Sequence, residues 1–180
     1  MALLDMARQY LGQEQVTQIS QKLGIDPGLA QTAINAALPM IVGGMARHAS
    51  QPQGADAIQQ AASAHAEAAQ NVDNVLQGPP ADVGGGLLGR IFGQHNDQVQ
   101  QSVQQASGLD PEKAKKLLMM LSPVVLGVLA HREFGGQKAT QADPGQLAGA
   151  LRQEAQTAQQ QSPHGGLLGQ ILGAVESRGA

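Results

Sequence analysis

The chain has 180 residues, 42% of them hydrophobic, enough for one domain or two small ones with a packed core. The apolar residues are Ala, Leu, Val, Ile and Met, with Tyr10, Phe92 and Phe134 the only aromatics and no Trp, a palette of helices rather than of β-sheets. A formal charge of -3 and a pI near 5.9 give no basic footprint for nucleic acid or an anionic membrane surface, and the absence of cysteine excludes disulfides, thiolate metal sites and cysteine nucleophiles.

The N-terminal MALLDMARQYLGQEQ places Asp5 where a signal peptide needs an apolar core, and it has neither a basic start nor a small-residue cleavage site. It reads as a helix of a cytoplasmic protein. Val16, Ile19 and Leu23 then mark a weakly amphipathic helix, and Gly24 is placed to close it in the left-handed conformation. In Asp26-Pro27 the aspartate suits an N-cap and the proline the first helical position. Ala30, Ala33, Ile34 and Ala37 follow the i, i+3, i+4, i+7 pattern of one buried face. Pro39 predicts a tight corner into a further helix with Met40, Ile41, Gly44 and Met45, whose closing Arg47-His48 complements the helix dipole.

An Ala/Gln-rich helix is expected from about Asp56 to Gln70, followed by QGPPADVGGG, a linker by composition. Beyond it GGLLGRIFGQ opens a second series: Val99 and Val103, Gly108, Asp110-Pro111, the face Ala114, Leu117, Leu118 and Leu121, a corner at Ser122-Pro123, then Val124, Val125, Val128 and Leu129 closing at His131-Arg132. The apolar stretch Leu117 to Ala130, so interrupted, falls short of the roughly 20 residues of a spanning helix, and no membrane span is expected. Asp143-Pro144 opens another Ala/Gln helix to about Gln161, and the tail GGLLGQILGAVE repeats the segment at residue 85.

Adding 84 takes Leu3-Leu4 to Leu87-Leu88, Gly24 to Gly108, Asp26-Pro27 to Asp110-Pro111, Pro39 to Pro123 and Gly43 to Gly127, without a gap. Chemistry is kept where identity is lost, as at Ile19 with Val103 and Ile34 with Leu118. The expected architecture is all-α: two similar multi-helix units from an internal duplication, packed as a helical bundle with a Gly-rich linker and tail. The first unit spans 1–50, the Ala/Gln helix and linker 51–84, the second unit 85–135, and the last Ala/Gln helix and Gly/Leu-rich segment 136–180.

Little in the pattern carries chemistry. His48, His65, His95, His131 and His164 have no HxxxH or HExxH spacing, and no GxSxG occurs, so no metal, cofactor or catalytic residue is expected and the chain is not read as an enzyme. Helices joined at a corner have the outline of a helix-turn-helix, with Lys113, Lys115, Lys116 and Arg132 as candidate phosphate contacts. The positions matched to the three lysines are Leu29, Gln31 and Thr32, however, and Pro123 to Arg132 is dominated by Val, Leu and Gly. The glycine-interrupted GGLLG segments need something to pack against, since each helical glycine costs about 1 kcal/mol relative to alanine. Met119 and Met120 widen the apolar stripe of their helix. Together with Leu87, Leu88, Leu167 and Leu168 they form the candidate surface for an unidentified protein partner or a second copy.

GGLLGRIFG, ASGLDPEKAKKLLMMLSPVVLGVLA and the glycine-rich ending resemble the bacterial DUF937 family, which includes the YidB-like proteins, over about the last two-thirds of the chain. The resemblance implies an all-helical fold with a homeodomain-like motif at Pro123, and hence a DNA-binding alternative to the interaction module. It supplies no catalytic or base-contacting residue, and the chain departs from the homeodomain pattern in having no basic N-terminal arm and no Asn or Arg series along Pro123 to Arg132.

Overall fold

Gly24 and Gly108 do stop helices in the left-handed conformation, with φ of 67° and 74°, and the next helices start at Pro27 and Pro111. The computed structural model describes residues 3–51, 53–68, 70–77, 86–134 and 144–161, and every regular element among them is helical. In order these are α1 (Leu3–Tyr10), α2 (Gln13–Leu23), α3 (Pro27–Ala49), α4 (Gly54–Ala64), α5 (Val72–Gln77), α6 (Gly86–Phe92), a 3₁₀ turn (Gly93–His95), α7 (Asn96–Ser107), α8 (Pro111–Phe134) and α9 (Pro144–Gln161). Asp26 caps α3 by accepting from the Gly28 amide at 2.8 Å, and Asp110 caps α8 by accepting from the Lys113 amide at 2.8 Å. A short helix, a second helix, a left-handed glycine and an Asp-Pro long helix thus occur twice among the described residues, 83 or 84 residues apart.

The corners expected at Pro39 and Pro123 are absent, and with them the bend of a helix-turn-helix. Both prolines sit inside uninterrupted helices of 23 and 24 residues. A proline within a helix removes one hydrogen bond and costs about 3 kcal/mol or more. Here positions 36–47 and 121–130 are buried without a break, so both helices are wrapped on every side around and beyond the proline. Each fully buried Val, Leu or Ile contributes roughly 1.5–3 kcal/mol, so Val124, Val125, Leu126, Val128 and Leu129 together outweigh the proline. With α8 continuous through Pro123, the apolar stretch Leu117 to Ala130 is not interrupted. Pro27–Ala49 and Pro111–Arg132 are each long and apolar enough to cross a membrane by length and composition, and 78% of each apolar window is buried inside the fold.

Other boundaries moved less. The first Ala/Gln helix ends at Ala64 instead of Gln70, and α5 follows in a stretch without a periodic signal. The second Ala/Gln helix runs to Gln161 as expected. The linker residues 78–85 and the tail from 162 lie outside the described residues.

One hydrophobic core runs from Leu3 to Ala158 and centres on α3 and α8. The long helices touch each other, but the helices that sheathe them are exchanged between the two halves of the chain. α3 is covered chiefly by α7 and α9, from beyond residue 85, with α2, α4 and α6 also against it. α8 is covered chiefly by α4, with α1, α2 and α5, all from before residue 78, while α7 and α6 of its own half cover less of it. The approach of α6 and α7 to α3 depends on Gly44: a Cβ there would lie 2.6 Å from Phe92 Cδ1 and 2.8 Å from Val99 Cγ2.

Candidate functional site

Of the residues expected to form an apolar contact surface, Leu88 is 0% exposed. This corrects its placement on the surface. The helical spacing of α6 puts Leu88 with Ile91 and Phe92 in the core, so α6 docks within its own chain through these three residues. Met119 and Met120 are half-buried on α8 and pack against the core from its edge. Leu167, Leu168 and the side chain of Leu87 lie outside what is described.

The basic residues do not converge. Lys113 lies 3.9 Å from Asp110, one turn back on its own helix, while Lys115 and Lys116 are exposed and separated around the helix. Arg132, the fourth candidate phosphate contact, is held by Glu154 of α9. Glu154 is 8% exposed and its second oxygen accepts the Leu3 amide at 3.1 Å. One carboxylate thereby joins α9, the end of α8 and the start of α1.

A second polar cluster gathers at the C-terminal end of α3. Arg47, 9% exposed, donates to Gln98 of α7. The His48 ring rests on Gly93, where a Cβ would come within 2.6 Å of Nδ1. Gln51 Nε2 and His95 Nε2 are 3.5 Å apart, and Arg152 of α9 donates to Ser50 Oγ at 3.2 Å. The described residues contain no group of three His, Cys, Asp or Glu able to hold a metal ion. The contacts join residues 47–51 to residues 93–152, so the cluster fastens one half of the chain to the other.

A depression of about 720 Å³ opens beside α4 and α5, lined by Ser63, His65, Glu67, Asn71, Asn74 and Val75 among others. Its walls mix polar and apolar groups on one connection. Of the residues weighed from the sequence it holds only His65, and none of the candidate contact residues.

Glu154, Gln98 and Ser50 were missed as fastening residues. Glu154 had a signal: it is the only acid in 144–161 and sits seven residues after Leu147, on the stripe of Leu147, Leu151, Ala155 and Ala158. Gln98 and Ser50 had none, because their partners lie 51 and 102 residues away.

Residues 5–132 match the model of a family described as bacterial protein of unknown function (DUF937). No curated protein and no solved structure matches the chain.

Proposed function

Since the chain belongs to the DUF937 family of bacterial proteins, a membership that brings no reaction with it, we propose that it is a non-enzymatic helical module that acts by packing against a protein partner or a second copy. The observation that carries this reading is the use made of buried charge. Arg47 and Glu154 are the charged side chains within the described core, and each bonds to a different helix. A catalytic group has to face a reacting atom with its proton or lone pair available. These two have theirs engaged in helix-to-helix bonds.

The contact surface in this proposal centres on Met119 and Met120. Their half-buried thioether chains can change rotamer to follow a partner's shape, and an apolar partner would complete their burial. The test is light scattering over a range of protein concentrations, on the wild type and on Met119→Glu with Met120→Glu, with circular dichroism to confirm retained helix. A concentration-dependent mass above 18.6 kDa that the double change abolishes supports the surface. A mass indifferent to the change removes it. Anisotropy of labelled duplex DNA on the same samples is expected to show no salt-sensitive rise, because Lys113 and Arg132 already face carboxylates.

A further inference from the structure

We propose that this chain exchanges halves with a second copy of itself, residues 3–77 of one molecule packing with residues 86–161 of the other through the contacts that close the monomer. The inference goes beyond the Met119 and Met120 surface: the contact is the interface between the halves, and the partner is an identical chain.

The layout of the core is the ground. Among the shorter helices, α3 has more of its cover from α6, α7 and α9 than from α1, α2 and α4, and α8 has more from α1, α2, α4 and α5 than from α6 and α7. Each half therefore presents its own long apolar helix mainly to the other half. Polar contacts repeat the arrangement: Arg47 to Gln98, Ser50 to Arg152, Gln51 to His95 and the Leu3 amide to Glu154 all cross from one half to the other. Any copy of 86–161 offers α3 the same partners. A closed pair that swaps halves thus satisfies every contact of two monomers and needs no new surface.

Concentration decides which form is made. A short connection holds the two halves of one chain at an effective concentration in the millimolar range, so dilute refolding gives monomer. When many chains refold together, the half of a neighbour competes in proportion to its concentration. Separation of the halves exposes the whole core, so the exchanged pair, once formed, persists on dilution.

The absence of cysteine allows a direct test in the full-length chain. Ser50→Cys with Arg152→Cys, and separately Gln51→Cys with His95→Cys, put thiols on opposite halves at positions that meet. Gln15→Cys with Asp73→Cys puts both on one half, where the native side chains are 2.9 Å apart. Each variant is refolded at low and high concentration, separated by size, diluted, treated with a short bis-maleimide and run on a denaturing gel. The expected result is a dimer fraction that rises in proportion to protein concentration while it is the minority. That fraction gives covalent dimer from both cross-half pairs and internally linked single chains from Gln15→Cys/Asp73→Cys.

A dimer that yields only internally linked single chains from the cross-half pairs overturns the exchange while leaving self-association through an outer surface intact. Covalent dimer from the same-half pair as well overturns it too, since the linking would then run between outer surfaces. A chain that stays monomeric at every concentration defeats both the exchange and self-association through an outer surface.

Discussion

Gly44 and Gly149 are both helical glycines, yet alanine at the two positions should act in opposite directions. At Gly44 the new methyl meets Phe92 and Val99 at distances no Cβ contact tolerates, and neither a packed ring nor a β-branched side chain yields easily. Overpacking of this kind costs typically 1–3 kcal/mol, against which the helix gains up to about 1 kcal/mol from losing a glycine. Gly44→Ala is expected to lower the denaturation midpoint, by about 1–2 kcal/mol in stability. At Gly149, exposed on α9, nothing lies within 4 Å of the added atom. Gly149→Ala should raise stability by about 0.5–1 kcal/mol. Urea titrations of the two variants read both signs, and a Gly44→Ala protein as stable as the wild type would mean that α6 and α7 do not approach α3 this closely. Glu154→Gln keeps shape but loses the charge that holds Arg132. Because that arginine side chain is 31% exposed, water replaces part of the bond and the expected cost is about 1–2 kcal/mol.

Helix starts and stops were the most legible elements because they are decided locally. Asp26-Pro27 and Asp110-Pro111 cap and start helices through contacts two or three residues away, and Gly24 and Gly108 close helices by their own backbone conformation. Pro39 and Pro123 misled for the complementary reason. What keeps a helix intact past a proline is burial supplied by distant segments, which a window of neighbouring residues does not contain. Burial on every side also erases the periodicity that would have shown α3 and α8 as single long helices. The candidate contact surface failed at Leu88 by the same route, since a bulky residue beside glycines looks exposed until its intramolecular cover is known. Hydrogen exchange can decide the proline question at this scale. In a continuous α8 the amides of Val124, Val125 and Leu126 have carbonyl partners in the preceding turn, and their protection should approach that of Val128. In a helix capped at Ser122 and beginning at Pro123 the amides of Val124 and Val125 would lack intrahelical partners and exchange orders of magnitude faster.

At the scale of the whole molecule, exchanged cover makes the two similar halves depend on each other. Units of about fifty residues bury too little surface to be secure alone, and here neither long helix is covered chiefly by its own half. A perturbation confined to one half should therefore be felt in both. Leu118→Ala is the informative case: Leu118 is 0% exposed on α8, and removing a buried leucine side chain typically costs 2–5 kcal/mol. For a chain of this length that corresponds to a fall of about 5–15 °C in the melting midpoint. Calorimetry is expected to show one transition, with calorimetric and van't Hoff enthalpies equal, moved downward as a unit. Native-state hydrogen exchange should then show the slowest amides of α3 losing as much protection as those of α8, although the change lies only in the second half. Two resolved transitions, or lost protection confined to residues 86–161, would mean that each half carries a sufficient core of its own. That outcome would also remove the driving force for exchange between copies, because halves that are stable alone gain little by packing with a neighbour's.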